Sequence, residues 1–436
     1  MKFGVKTLAI ISISTALISA FTACTSTANQ QNPEETQQKP AGFQGFKIDP
    51  YESPYTYTTV DDSDYENMEA QQLIKLMGNG INLGNTMEAT NNWLGFDNAD
   101  ASAYETAWGQ PRTTKAMFMA MKDAGFDSVR IPVAWTHTMD WSRGDFEISQ
   151  KYFERVAQVV NWALECDLYV VMNDHWDYQW WGMFSHDEEL AWKIYESMWT
   201  QIGEYFKDYS YKLIFEGANE EVGGRFNDEV NTKVDSRLDS SINYQRGHLS
   251  ESQCYTLAAK VTQKFVDIIR SQGGNNKKRF LLIPGYDTDI NKTCSGSYKM
   301  PSDSTNSIQK LIISVHYYTP STYCILSENA SWGTVQNSWG SLTDYNYMNI
   351  DFRKMTKFID EGYGVIIGEY AVAQKKNSNG TYTKKEGMEK WLKNVLDNCD
   401  AYNYCPFLWD CNTFFKKNGT LGFTDAEAGA VFSERN

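Results

Sequence analysis

The sequence lacks the residue patterns that are typical of metal and nucleic-acid sites. It contains only five histidines, and no cysteine or histidine pair has the spacing of a zinc site. Basic residues are also scarce, since 40 Lys and Arg face 55 Asp and Glu, giving a formal net charge of -15. A chain of this charge without a basic run repels phosphate backbones. We therefore expect no metal, no cofactor and no nucleic-acid partner.

The N-terminus has the pattern of an export signal. Two lysines precede an apolar stretch over residues 8–20, which is shorter than a typical transmembrane helix. Thr22 and Ala23 before Cys24 resemble a bacterial lipobox, although Phe21 stands where leucine is usual. We expect a signal peptide over 1–23, a lipid on Cys24 and export to the cell surface or outer envelope. The alternative is an ordinary cleaved signal and a secreted protein.

The next segment is polar and the remainder is globular. Residues 25–40 are Thr, Ser, Asn, Gln, Pro and Glu with almost no apolar side chain, which is typical of a disordered tether. We expect the tether over 24–62 and one catalytic domain, a monomer, over 63–436.

Seven cysteines follow Cys24, and an odd number leaves at least one free thiol, so we expect at most one or two disulfides.

Eight short apolar or β-branched runs recur along the domain, and helical periodicity separates them. The runs are GINLGNT, DSVRIPV, LYVVMND, LIFEGANE, RFLLIPG, LIISVHYY, GVIIGEY and CPFLWD. Helices are predicted over 113–124, 152–166, 188–206, 251–272, 348–362 and 385–399, with a short fifth helix around 304–309. The alternation predicts an α/β fold, a (β/α)8 TIM barrel. An open doubly wound sheet would need a glycine-rich phosphate loop, which is not visible.

Two of these runs carry a glutamate where the strand ends. LIFEGANE closes at Glu220, and Glu369 follows Gly368 in GVIIGEY. A carboxylate at the end of a buried strand costs free energy unless it is paired or used. Two such groups, with no metal and no cofactor, are typical of glycoside hydrolysis.

The chain resembles glycoside hydrolase family 5, the cellulase family, from about Asn67 onward. The motifs are NLGNTMEA, TAWGQPRTT, FDSVRIPVAW, LIFEGANE, SVHYYTP and IIGEYA, and the resemblance is greatest to the branch of endo-β-1,4-glucanases and xyloglucanases. It implies a retaining hydrolase of cellulose, mixed-linkage glucan or xyloglucan. The matching active-site positions are Arg130, His175, Asn219, Glu220, His316, Tyr318, Glu369 and Trp409.

The resemblance implies a role for each position. Glu220 is expected to be the acid and base, and Glu369 the nucleophile. Arg130 and Tyr318 would keep Glu369 ionised, and Asn219 would hold the sugar 2-hydroxyl. His175 and His316 would bind hydroxyls or position the glutamates, and Trp409 would form the floor of a subsite.

Other residues bear on substrate specificity. Relatives often have a second histidine where Trp176 stands here, and an aromatic loop follows. Sugar-stacking subsites or plain loop packing both account for such a loop. The long 222–250 segment is either a wall of the cleft or a surface elaboration. The subsite candidates are Asn82, Asn85, Trp93, Trp176, Trp180, Trp181 and Trp332.

Two further glutamates need separate explanations. Glu216 lies on the same side of its strand as Glu220 but two pleats deeper, so it is expected to organise the barrel interior. Glu221 stands where the family often has proline, and its side chain is expected to point away from the substrate. The alternatives in function are a xylan- or mannan-directed hydrolase on the same fold and a noncatalytic glycan-binding lipoprotein with two lobes.

Overall fold

The computed structural model describes residues 63–89, 100–141, 144–177, 180–232 and 243–435. The predictions for the signal peptide, for Cys24, for the tether and for Trp93 lie outside these residues. Within them, no helix has the length and apolar character needed to cross a membrane. The seven cysteines after Cys24 are all free thiols, so the one or two disulfides allowed for are not formed.

Eight parallel strands close into a barrel in which each strand pairs with its neighbours in sequence, and β8 pairs with β1. The strands are β1 (Gly80–Asn82), β2 (Ser128–Ile131), β3 (Tyr169–Asn173), β4 (Leu213–Glu216), β5 (Leu281–Pro284), β6 (Leu311–Tyr317), β7 (Gly364–Tyr370) and β8 (Tyr404–Leu408). All eight predicted strands are confirmed, and β8 begins one residue before its predicted run. The closed barrel rules out the two-lobed and doubly wound alternatives.

Helices surround the barrel. The longer ones are Lys115–Asp123, Gln150–Glu165, Glu188–Phe206, Glu251–Ser271, Leu342–Lys354 and Met388–Tyr402, with Ala70–Met77 and Ala426–Ser433 near the ends of the described chain. Short helices occupy Ser63–Glu66, Ser102–Glu105, Ile290–Thr293, Ser321–Cys324 and Thr356–Asp360. Two-residue strands form hairpins in the connecting loops: Met139–Asp140 with Glu147–Ile148, Val230–Asn231 with Tyr244–Gln245, Lys375–Lys376 with Tyr382–Thr383, and Phe415–Lys416 with Gly422–Phe423.

The prediction of a short helix around 304–309 was wrong. Asp303 accepts a hydrogen bond from the backbone N–H of Thr305 and another from the side chain of Asn306, and these local bonds favour a turn over a helix. The short helix after β5 is instead Ile290–Thr293, where the Asp289 side chain caps the backbone N–H of Lys292.

Packing explains why the helices lie where they do. In Glu251–Ser271 a capping box from Ser250 starts the helix, and its apolar face, which includes Val261 and Phe265, is buried. Helix Ala70–Met77 covers the N-terminal end of the barrel, where Ile74 packs beside Gly364 at the start of β7. The opposite end, at the carboxyl ends of the strands, is therefore left for the functional groups.

Candidate active site

Glu220 and Glu369 meet at the carboxyl end of the barrel. Glu369 lies in β7 with 4% of its surface exposed, and Glu220 lies four residues after the end of β4. One carboxylate oxygen of each, together with a ring nitrogen of His316, lie within 4.8 Å of one another. Retaining glycosidases hold their two carboxyl groups about 5–5.5 Å apart, whereas inverting enzymes leave about 6.5–9.5 Å. An approach of the two carboxylate oxygens within this limit favours the retaining arrangement over the inverting one.

A β-bulge places His316 beside Glu369. The register between β6 and β7 shifts between Val315 and His316, so that His316 stands opposite Glu369. Gly368 lies at this irregularity, and a Cβ there would approach the Oγ of Ser314 to 2.7 Å and the Nε2 of His316 to 3.1 Å. Glycine is thus required for the close approach of the strands that brings His316 beside Glu369.

Arg130 lies at the centre of a buried network below the glutamates. Its Nε donates to Glu216 at 2.7 Å, Nη1 donates to Glu369 and to Asn82, both at 2.9 Å, and Nη2 donates to Asn219 at 2.7 Å. Burial alone would lower the pKa of Arg130, but the charges of Glu216 and Glu369 raise it above its ordinary value. The guanidinium therefore stays charged and fixes four side chains at once.

Two hydrogen-bond donors hold Glu369 and favour its ionised form, which a nucleophile needs. Arg130 bonds to one carboxylate oxygen, and the hydroxyl of Tyr318 donates to the other at 2.9 Å. Burial raises the pKa of Glu369, and the Glu220 charge adds to the rise, while His316, Arg130 and the Tyr318 bond oppose it. These donors offset part of the cost of keeping the carboxylate ionised in a buried site.

Glu220 and His316 form a hydrogen-bonded pair. The Nδ1 of His316 lies 2.9 Å from a Glu220 carboxylate oxygen. Burial alone would raise the pKa of Glu220, but the hydrogen bond and charge of His316 outweigh it and set that pKa below its ordinary value. Burial likewise opposes the charge on His316, but the two glutamates raise its pKa. These opposite shifts favour an ionised Glu220 and a protonated His316 in the unliganded site, so the proton for the leaving oxygen is held on the His316 side of this bond.

His175 and Trp409 form one wall beside Glu369. Their rings stack with centroids 5.7 Å apart, and the Nε2 of His175 lies 4.0 Å from the Glu369 carboxylate. Asn173 binds the Nδ1 of His175 at 3.2 Å. Burial lowers the pKa of His175 well below its ordinary value, and the Arg130 charge adds to this. A neutral imidazole suits hydrogen bonding to a sugar hydroxyl.

The outer candidates are distributed differently from the prediction. Trp180 and Trp181 are only 3% and 2% exposed and stack on each other within an aromatic cluster, so their position supports loop packing and not sugar stacking. Asn82 is buried beneath the site, where it accepts from Arg130 and donates to the carbonyl of Gly368. Asn85 is also buried, in a turn closed by Glu88.

Trp176 and Trp332 are half-buried on the loops after β3 and β6, so each retains a partly accessible ring. Glu216 organises the interior as expected, since it accepts from both Arg130 and Asn173. The carboxylate of Glu221 turns back onto the chain and accepts the backbone N–H groups of Asn219 and Trp176. That arrangement agrees with a side chain directed away from the cleft.

Sequence reasoning missed Arg225. Its Nη2 lies 3.8 Å from the second carboxylate oxygen of Glu220, and its guanidinium lies 4.8 Å from the centroid of the Trp176 ring. No motif marks this arginine, because it reaches the site only through the folding of the long segment after β4.

Two groups of described side chains are close enough to ligate a metal ion. In the first, formed by Glu220, His316 and Glu369, the Nδ1 of His316 hydrogen-bonds Glu220 and lies 3.6 Å from Glu369. In the second, formed by Glu389, Asp425 and Glu427, the ammonium of Lys384 pairs with all three carboxylates. Both groups are therefore explained by internal bonds alone.

Comparison with known proteins places the chain in a family. The model of the cellulase family, glycosyl hydrolase family 5, matches residues 87–414. The chain belongs to glycosyl hydrolase family 5. This match includes the strands and loops that carry both glutamates, Arg130, His175, His316, Tyr318 and Trp409, so the family resemblance read from the motifs is confirmed.

Relatives within family 5 include enzymes and solved structures. Endoglucanase A of Paenibacillus barcinonensis is 30% identical, over 84% of this chain and 87% of its own length. A lichenase mutant from Caldicellulosiruptor, solved with cellotetraose, superposes with a TM-score of 0.69 at 30% identity, covering 85% of this chain and 96% of that one. A Bacteroides ovatus xyloglucanase in complex with a XXXG heptasaccharide superposes with a TM-score of 0.68 at 25% identity, covering 85% and 77%.

Proposed function

We propose that this family 5 protein is a retaining endo-β-1,4-glucanase. The observation that carries the proposal is the close placement of Glu220 and Glu369, whose carboxylate oxygens lie within 4.8 Å across the end of the barrel. A single sugar ring bound between them would present its anomeric carbon to Glu369 and its leaving oxygen to Glu220.

The first step forms a glycosyl-enzyme. A carboxylate oxygen of Glu369 attacks the anomeric carbon while Glu220 transfers its proton to the glycosidic oxygen, and the bond between that carbon and oxygen breaks. Arg130 and Tyr318 orient Glu369 for the attack. Arg130 also fixes the amide of Asn219 through its oxygen, which leaves the Asn219 N–H group directed to a substrate hydroxyl.

The second step releases the sugar. Glu220, now ionised, takes a proton from a water molecule, whose oxygen attacks the anomeric carbon and displaces Glu369. Two inversions at the same carbon give net retention. His316 touches both carboxylates and so balances the negative charge that passes between them in the two steps.

The substrate is a β-1,4-linked glucan backbone. This assignment rests on the curated endoglucanase relative and on the solved structures that hold cellotetraose and the XXXG heptasaccharide. The stacked His175 and Trp409 rings and the half-buried Trp176 supply the apolar faces on which pyranose rings pack.

Activity on pure polysaccharides tests the proposal. Wild type, Glu369→Gln and the exposed control Glu361→Gln are assayed on carboxymethylcellulose, barley β-glucan, xyloglucan, xylan and mannan. We expect wild type and the control to lower viscosity faster than they release reducing ends on the glucans, and Glu369→Gln to be inactive. Equal inactivity of all three proteins on every polymer would overturn the proposal, and preferential cleavage of xylan or mannan would redirect it.

We further propose that the protein is exported as a monomer carrying a lipid on Cys24. The lipobox-like Thr22-Ala23-Cys24 sequence supports this. Labelling of bacteria with an alkyne fatty acid tests it: the wild-type chain incorporates label and Cys24→Ala does not. Unlabelled wild-type protein in the medium would favour an ordinary cleaved signal peptide. Light scattering of the purified domain tests whether it is a monomer.

A further inference from the structure

Glu220 has two cationic neighbours that differ in what else they touch. His316 lies 2.9 Å from Glu220 and 3.6 Å from Glu369, so its charge acts on both glutamates. Arg225 pairs with Glu220 at 3.8 Å and with Asp228 at 3.3 Å, and no ion pair of the described residues joins it to Glu369. Arg225 is therefore the cation that distinguishes the acid and base from the nucleophile.

Arg225 is held in place on several sides. It is only 7% exposed, its guanidinium lies over the Trp176 ring, and Nη1 donates to Asp228. Trp176 adopts a φ of 50°, which is uncommon for a bulky residue, and the carboxylate of Glu221 binds its backbone N–H. An acidic residue where the family often has proline thus anchors the ring on which Arg225 rests.

One guanidinium nitrogen of Arg225 has no hydrogen-bond acceptor among the described residues. Nη2 is buried and makes no hydrogen bond with any described residue, and a buried donor without an acceptor costs free energy. The nearest carboxylate oxygen is that of Glu220 at 3.8 Å, beyond the range of about 2.7–3.2 Å for such a bond. The geometry indicates an acceptor that comes into reach only in part of the catalytic cycle.

We infer that Arg225 is a positioning residue for Glu220, whose carboxylate it receives on Nη2 once the proton has passed to the leaving oxygen. The inference rests on the proposed function. In the first step Glu369 bonds to the anomeric carbon, the glycosidic bond breaks and the Glu220 proton goes to the departing hydroxyl. In the second step water gives its proton to Glu220, its oxygen bonds to the anomeric carbon, the bond between that carbon and Glu369 breaks, and the Arg225 contact relaxes.

Removal of the Arg225 charge has a defined effect on pH dependence. The positive charge lowers the pKa of Glu220, so its loss raises that pKa, and the acid stays protonated to higher pH. The limb of the kcat/KM profile that Glu220 sets then moves to higher pH. The other groups facing Glu220 remain in place: His316, Arg130, Glu369, Tyr318 and Glu221.

The experiment compares pH profiles of kcat/KM for cellotetraose among wild type, Arg225→Met, Asp228→Asn and Lys393→Met. Lys393 pairs with Asp397 on the exposed face of helix Met388–Tyr402, so its variant removes one positive charge elsewhere. We expect Arg225→Met to move the limb that Glu220 sets up by about one pH unit, and the control not to move it. Asp228→Asn removes a negative charge beside Arg225, so it moves the limb to lower pH.

The position of a limb does not depend on how much of a variant is folded, so reduced yield does not obscure the result. If Arg225→Met gives no active protein, the downward shift in Asp228→Asn decides the question. The inference is overturned if Arg225→Met is active and its limb lies at the wild-type pH, or if the limb of Asp228→Asn does not shift. A raised KM in Arg225→Met without a shift of the limb also overturns it. An inactive wild type overturns the proposed function and the inference with it.

Discussion

The imidazole of His316 lies between Glu220 and Glu369, with Nδ1 2.9 Å from a carboxylate oxygen of the first and 3.6 Å from one of the second. Because one cation contacts both carboxylates, it lowers the cost of holding two negative charges so close together. The same contact lets a proton be stored beside the acid without being given to the nucleophile. Both consequences can be measured.

Replacement of His316 by glutamine is expected to shift the whole pH profile. The protonated ring lowers the pKa of Glu220 and opposes the rise in the pKa of Glu369. A neutral side chain therefore raises both values, and both limbs of the kcat/KM profile move to higher pH by about one unit. His248→Gln, on an exposed loop, serves as control. An unchanged profile in His316→Gln would contradict the bridging role.

Alanine variants of the two glutamates should differ in the product they form with azide. On 2,4-dinitrophenyl β-cellobioside, whose leaving group needs no acid, Glu220→Ala still forms the glycosyl-enzyme, and azide then yields the β-glycosyl azide. Glu369→Ala lets azide replace the nucleophile and yields the α-azide. On polysaccharide, Glu220→Ala loses about 10²–10⁴ in rate. NMR of the azides checks the assignment, and exchanged products would reverse the two roles.

Gly368→Ala tests whether the β-bulge positions His316. The added Cβ would approach the Oγ of Ser314 to 2.7 Å and the Nε2 of His316 to 3.1 Å, so the ring is pushed from its place. We expect kcat/KM to fall about tenfold or more, equivalent to about 1.4 kcal/mol. Gly296→Ala, where a Cβ meets no atom within 4 Å, is the control. Wild-type kinetics in Gly368→Ala would show that the close approach is unimportant.

Glu221 should make stability depend on pH. Burial raises its pKa from 4.5 to about 7, so the folded state binds a proton that the unfolded state has released. The stabilisation is complete below pH 4.5 and is lost as the pH rises to about 7, a change of about 3 kcal/mol. Denaturant unfolding at pH 4.5 and pH 7 is expected to show a smaller loss in Glu221→Gln than in wild type. Equal losses would contradict the raised pKa.

The fold was predictable because the strands of a barrel are buried on both faces. Each appears as a short apolar run, and the turns between elements are polar, so all eight strands were located. The failure at 304–309 has a local cause: the bonds that Asp303 makes to Thr305 and Asn306 are not visible as a periodicity. Helix Ile290–Thr293 is too short to produce a periodic pattern.

The site was predictable where a residue follows directly from its strand. Arg130 and Glu369 lie near the carboxyl ends of their strands and Glu220 lies four residues after β4, and the topology brings them together. Trp180 and Trp181 could not be assigned in this way, since the same aromatic sequence forms either an exposed platform or the buried cluster observed. Arg225 gave no sequence signal, because its relation to Glu220 depends on how a long loop returns to the barrel.

Trapping of the covalent intermediate would identify the nucleophile. A 2-fluoro cellobioside with a good leaving group is incubated with the wild-type enzyme, which is then digested and analysed by mass spectrometry. We expect one 2-fluorocellobiosyl group per chain, on the peptide that contains Glu369, and none on Glu369→Gln. An unlabelled enzyme, or a label on Glu220 or another carboxylate, would contradict it.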